Sequence, residues 1–237
     1  MSLERGDGKY VYPGTELATF APARRWRSYW QSRVAELLRC DVLEVGAGIG
    51  TITQNLAPFS NRWLALEPDG HLASQLQTAT TAIPNVEVRL GHIGALSADE
   101  RFDAIIYIDV IEHIEDDAEQ LRTAVHHLKP DGHLVVLAPA FPSLYSRFDA
   151  AVGHYRRYTR ASLVALTPPG LIVRRIEHLD SMGAVVSFLN RFGRNQEQPD
   201  RWQIMLWDRF LIPLSRILDP LTGRRMGKSL LIIWQAP

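Results

Sequence analysis

Val42–Gly50 reads VLEVGAGIG, an apolar run that breaks into glycine at Gly46, Gly48 and Gly50 and continues into Thr51–Leu56, which reads as a helix. Strand, glycine turn and helix start form the local plan of a nucleotide site. Glycines let backbone come close to a ligand, and a helix N-terminus offers free N–H groups. The dinucleotide fingerprint G-x-G-x-x-G needs its third glycine where this chain has Thr51. The spacing here is instead Glu44-x-Gly46-x-Gly48-x-Gly50, with an acid near the strand's end.

The chain around this stretch alternates in kind. Arg62–Glu67 (RWLALE) is a second short strand ending in an acid, 17 residues past Gly50. That is close to the ~20-residue spacing at which a carboxylate meets a ribose in nucleotide-binding βαβ units. A carboxylate accepts only, and can take both ribose hydroxyls at once. A helix over His71–Thr81 and a strand over Asn85–Leu90 follow, then Gly91-His92-Ile93. Phe102–Ile108 (FDAIIYI) is apolar nearly throughout, the pattern of a strand covered on both faces. It ends in Asp109-Val-Ile-Glu112-His113. Asp116 is placed to cap a helix running to Leu128, and Lys129-Pro-Asp-Gly132 turns into a fifth strand, His133–Ala138. Strands alternating with helices predict a doubly wound, mainly parallel α/β sheet.

Composition sets wider bounds. With 237 residues, 46% of them hydrophobic, the chain can bury one full α/β core. Lys+Arg and Asp+Glu are both 26, so no global field favours nucleic acid. A single cysteine, Cys40, excludes an intramolecular disulfide framework and a paired-cysteine metal site. No signal peptide and no apolar run near the ~20 residues of a membrane span is visible, so a cytoplasmic protein is expected. The eight histidines show no ligand spacing, and no metal is expected.

Taken together, the glycine loop, Glu67, the Glu112-His113 pair and the Leu-Lys-Pro-Asp-Gly turn resemble the class I S-adenosylmethionine (SAM) methyltransferases. The resemblance covers about Arg24–Gln235. It implies a Rossmann-like sheet of seven strands, order 3-2-1-4-5-7-6 with strand seven antiparallel, and SAM as cofactor with S-adenosylhomocysteine as product. The cofactor contacts it implies fall on Glu44, Gly46, Ala47, Gly48, Gly50, Glu67, Pro68, His92, Ile93, Asp109 and Val110. At His92 the chain departs from the pattern, because an aspartate usually stands there. The tetrapeptide signature of nucleobase-amine methyltransferases is missing.

The acceptor side is expected in two further places. Ala23–Arg39 reads as one helix with a basic-aromatic start. As a lid it would bring Trp26, Tyr29 and Trp30 over the site; simple packing of Trp26 and Trp30 onto the sheet is the plainer reading. The stretch Pro139–Thr159 gathers Tyr145, His154, Tyr155, Arg156, Arg157 and Tyr158, fit to clamp an anionic or sugar-like acceptor, or to form an ordered loop whose arginines cap the next helix. It resembles a bacterial subgroup found beside glycan and polyprenyl-glycosyl transfer genes. His113 and His154 have the right chemistry for a general base on an O- or N-nucleophile.

The expected layout is an arm over 1–22, a lid helix over 23–40, a core over 41–177, a helical insertion over 178–228 and a last strand over 229–237. Within the insertion Trp202–Leu218 is apolar nearly all round, with Pro213 dividing it into two helices. It is expected to cap the active-site mouth over a small, amphiphilic or lipid-linked acceptor, with Arg224 and Arg225 leaving a membrane contact open. Two other functions fit parts of the pattern: a SAM-binding protein that cleaves or cyclises its cofactor or regulates without methylating, and an NAD(P)-dependent oxidoreductase, which Thr51 disfavours.

Overall fold

The computed structural model describes residues 10–190 and 199–237; the first nine residues of the expected arm and 191–198 of the expected insertion lie outside them. After two short helices, α1 (Glu16–Phe20) and α2 (Arg24–Gln31), the chain enters β1 (Asp41–Val45) and α3 (Thr51–Leu56). It continues through β2 (Arg62–Glu67), α4 (Gly70–Thr80), β3 (Val86–Leu90), β4 (Phe102–Ile108), α5 (Asp117–Val125) and β5 (Leu128–Pro139). Two short helices, α6 (Arg147–Ala151) and α7 (Arg160–Ala165), lead to β6 (Ile172–Leu179). Three more, α8 (Ser181–Asn190), α9 (Arg201–Leu206) and α10 (Ile212–Leu221), precede β7 (Ser229–Gln235).

The seven strands form one sheet in the order β3-β2-β1-β4-β5-β7-β6. β1 to β5 are parallel, and β7 runs antiparallel between β5 and β6. Alternation of side chains splits the core in two. Val42, Trp63, Ala104, Ile106 and Val135 pack under Trp30 on one face; Leu43, Leu64, Ile105, Tyr107 and Leu134 pack under Leu121 and Leu163 on the other. The Lys129–Gly132 turn bulges out of β5, since Phe102 pairs with Leu128 while Ala104 pairs with His133. Lys129 Nζ ties the bulge down through Asp103 (2.9 Å) and Asp41 (3.1 Å).

Three expectations need correction. The helix expected over Ala23–Arg39 stops at Gln31, and only a 3₁₀ turn over Ala35–Leu38 follows, because Arg33 turns away to a bidentate pair with Glu177 on β6 (2.9 and 3.0 Å). The arm is not loose throughout: α1 lies in it, and the Tyr12 N–H donates to Asp69 at the start of α4 (2.8 Å). Pro213 does not split the insertion. A π turn over Trp207–Leu211 joins α9 to α10 without a break, so Pro213 lies inside a continuous helical segment, and its missing N–H leaves a carbonyl of the preceding turn without a helical donor. The carbonyl of Arg209, four residues before Pro213, accepts instead from Arg25 Nη1 (2.9 Å).

Candidate functional site

The carboxyl ends of β1, β2, β4 and β5 open into one cleft of about 640 Å³. This is the edge at which open α/β sheets bind ligands. Its floor is Gly46, Ala47, Gly48 and Ile49 after β1, with Glu67 and Pro68 after β2. Gly46, Gly48 and Gly50 have φ of +73°, +57° and +79°, a region that an L side chain enters only with strain. Gly91, His92, Asp109 and Val110 complete this half.

Glu67 is 4% exposed, and each oxygen accepts one backbone N–H: Gly48 at 2.7 Å and Asp69 at 2.9 Å. Burial raises its pKa against the pull of those two bonds. A carboxylate offers about four acceptor positions, so about two stay available for a ligand. A buried acid with spare acceptors beside tightly turned glycine backbone fits the ribose end of a SAM-like cofactor.

Not every residue of the expected cofactor set reaches the cleft. Glu44 points beneath the loop, where its Oε2 accepts from Thr53 (2.5 Å) and Trp63 Nε1 (2.8 Å) and burial pushes its pKa up to about 7. It braces the loop from below. Gly50 starts α3 and faces Leu76, and Ile93 packs into the core under β2 and β4; neither lines the cleft.

The opposite half holds the polar chemistry. Asp149 is fully buried and accepts from Arg157 through both oxygens (2.7 and 3.0 Å), from Ser146, and from His154 Nδ1 (2.9 Å). Burial alone would raise its pKa, but these bonds and the guanidinium charge hold it well below the usual range. His154 is thereby fixed with Nε2 toward Glu112, 3.9 Å from Oε1. Glu112 is fully buried, neither oxygen has a hydrogen-bond partner, and burial beside Asp109 raises its pKa well above the ordinary value. Asp109 touches the cleft's open volume yet is enclosed by its walls, which lifts it to about 6. The His113 ring meets His154 edge-on at 4.6 Å, and burial lowers its pKa to about 3. Sequence spacing offered no metal site. The fold nonetheless gathers one ligand atom each from Glu112, His113 and His154 within 4.8 Å of one another.

Of the expected acceptor residues, Trp26, Trp30, His154 and Arg157 line the cleft. The others do not line it. Tyr158 is buried, its hydroxyl on Asp117 (2.7 Å), and Arg156 pairs with the same Asp117 (3.0 Å) and with the Glu115 carbonyl. The Tyr145 hydroxyl donates to the His154 carbonyl (2.6 Å), and the Tyr155 N–H donates to the Glu112 carbonyl (2.7 Å). Tyr29 bonds Asp219 on α10 (2.7 Å). The sequence reading missed the strap across the mouth: Tyr10, Tyr12, Glu16 and Phe20, with the Tyr12 hydroxyl on Glu16 (2.5 Å) and 3.5 Å from His113 Nε2. It also missed Asp149, Asp180 and Lys228, although the Ser146-x-x-Asp149 spacing of a capping box was legible.

A glycine loop facing a buried polar cluster across the cleft, on this strand order, is the arrangement of the seven-stranded methyltransferase fold. A family model described as a methyltransferase domain matches residues 43–134. An uncharacterized 37.1 kDa protein in transposon TN4556 of Streptomyces fradiae is 29% identical over 170 residues, covering 69% of this chain and 48% of that protein. A ubiquinone biosynthesis O-methyltransferase of Rickettsia felis is 28% identical over 109 residues, 44% of this chain and 43% of its own length. The chain thus spans about half the length of these curated relatives. The N-methyltransferase NodS of Bradyrhizobium japonicum, solved with S-adenosylhomocysteine, shares the fold with a TM-score of 0.56 at 19% identity over 92% of this chain and 88% of that one. Residues 43–134 thus match a methyltransferase domain, the fold is that of solved SAM-dependent methyltransferases, and SAM is the cofactor these likenesses support.

Proposed function

We propose that this chain transfers the methyl group of SAM to an oxygen or nitrogen nucleophile on a small, partly apolar acceptor, with His154 taking up the acceptor's proton. The observation that carries this is the buried Asp149–His154 pair, which holds Nδ1 at 2.9 Å and leaves Nε2 facing the cleft opposite the glycine loop. The cofactor supplies an electrophilic methyl on a good leaving group, so positioning contributes much of the rate. Gly46–Gly48 and Glu67 would hold its nucleoside end. Tyr12, Phe20, Trp26 and Trp207 would shield the cleft from water and give the acceptor an apolar wall. His154 suits the base and His113 does not, because a histidine lowered to about 3 has little affinity for a proton. Relatives named as O- and as N-methyltransferases are both consistent with this reading.

The test offers SAM with a panel of hydroxyl- and amine-bearing amphiphiles and follows S-adenosylhomocysteine. Product should appear only with an acceptor, and His154→Gln should lower turnover by about 10²–10⁴ with SAM affinity unchanged. Methylthioadenosine in place of S-adenosylhomocysteine would overturn the reading in favour of cofactor cleavage. The Glu112–His113–His154 cluster favours a second reading, in which a divalent cation activates the acceptor. Loss of turnover in a chelator, restored by the metal, selects it.

A further inference from the structure

The segment Arg201–Leu221 has two unlike faces. Its inner side packs down: Ile204, Ile212, Ser215 and Asp219 are buried, and Trp207 lines the cleft against Trp26 (ring centroids 5.9 Å). Its outer side is apolar and open to solvent. Trp202, Met205 and Leu206 lie exposed before the π turn and Phe210 within it. Leu214, Ile217 (64% exposed) and Leu221 (77%) lie beyond it. A π turn adds a residue to the helix, shifting the phase of α10 relative to α9 by about 100°. Without that shift the two apolar triplets would diverge around the helix; with it they continue one stripe. Soluble monomers rarely carry an apolar stripe this long in water.

The charges on the same segment are one-sided. Arg201, Arg209, Arg216 and Arg225 are exposed, and among the described residues none makes an ion pair with a carboxylate. The nearby acids are used internally: Asp208 accepts from the Arg25 and Trp26 N–H groups, Asp219 is buried, and Asp200 caps α9. A chain of formal net charge zero thus gathers cations without a carboxylate partner around this exposed apolar helix face, Arg209 lying over the Phe210 ring (5.8 Å) and Arg216 over that of Tyr29 (5.5 Å).

We infer that this face docks on an anionic lipid surface, lying in the interface with its apolar stripe in the acyl boundary and its arginines among the headgroups. Among the described residues no helix is long and apolar enough to cross a membrane, so the contact is peripheral. A second copy of the chain fits less well, because a two-fold contact would set the same arginines against each other. Docking of this face stands apart from the proposed reaction, since vesicle binding needs neither SAM nor acceptor.

The full chain is sedimented with vesicles of phosphatidylcholine alone and of phosphatidylcholine with phosphatidylglycerol. Binding to the mixed vesicles only is expected. Phe210→Ser with Ile217→Ser should abolish it, and Arg209→Gln, Arg216→Gln and Arg225→Gln together should weaken it roughly 100-fold, at about 5-fold per charge. Unchanged circular dichroism and melting would show that the variants fold. Absence of binding, or equal binding to both vesicles, overturns the inference. So does a dimer in analytical ultracentrifugation that Phe210→Ser with Ile217→Ser disperses while vesicles leave the wild-type chain in the supernatant.

Discussion

Glu112 and His113 are adjacent in sequence and shifted in opposite ways by the same burial. His113 stays neutral in the folded chain down to about pH 3, whereas in the unfolded chain it takes a proton below ~6.5. Its contribution to stability is therefore lost as pH falls from 6.5 toward 3. Glu112 stays protonated well above its ordinary pKa, whereas the unfolded chain ionises it near ~4.3. Its contribution is lost as pH rises from that value toward the folded pKa. Chemical denaturation should therefore find Glu112→Gln more stable than wild type at pH 8, by a margin larger than at pH 5. An equal margin at both would mean that the buried acid is already ionised. The chemistry of this pair was legible as Glu-His at a strand end, but its environment was not. Nothing in the sequence says that Asp149, five residues before His154, turns back to supply the carboxylate that orients it, or that the pair meets Glu112 and His113. The same limit governed Arg156, Arg157 and Tyr158. Their types suit a clamp, yet Arg157 spends the Nε–Nη2 edge of its fork on Asp149 and its Nη1 on the Ala140 carbonyl, and Arg156 and Tyr158 share Asp117.

At the scale of elements, Asp219 is the joint of the cap. Its two oxygens accept from the Tyr29 hydroxyl (2.7 Å) and from the Asp180 and Ser181 N–H groups (2.8 and 3.0 Å). One side chain on α10 thereby fastens α2 and the turn from β6 into α8. Asp219→Ala would orphan three buried donors and should cost roughly 3–5 kcal/mol of unfolding free energy, read by urea titration. SAM affinity should change little, since Asp219 does not line the cleft. Trp207→Ala should behave differently, because that ring serves both packing and cleft wall: a loss of about 1–3 kcal/mol in stability together with reduced turnover is expected. The strands were legible because their apolar runs are short and bounded by turns, with an acid at or next to the end of β1, β2 and β4. The helices around the mouth were not. Helix α2 ends where Arg33 finds Glu177, a partner 144 positions away. The joint at Trp207–Leu211 depends on a π turn that no periodicity of 3.6 predicts.

For the whole molecule, seven strands in one sheet bring Gly48 and Glu67 from one half of the chain against His154 and Trp207 from the other. We propose that this division is functional: one side of the cleft would hold SAM and the other would prepare the acceptor. The strand order was available from the family resemblance, and the glycine loop with Glu67 from spacing alone. The exposed outer face of the cap was not, since an apolar segment in sequence does not say which of its sides meets water. The most direct test is calorimetric titration of SAM into wild type, Glu67→Ala and Asp149→Asn. Wild type should bind, Glu67→Ala should bind more weakly by about 1–3 kcal/mol, and Asp149→Asn should match wild type within about twofold. Unchanged affinity in Glu67→Ala, or equal loss in both variants, would contradict the division of the cleft.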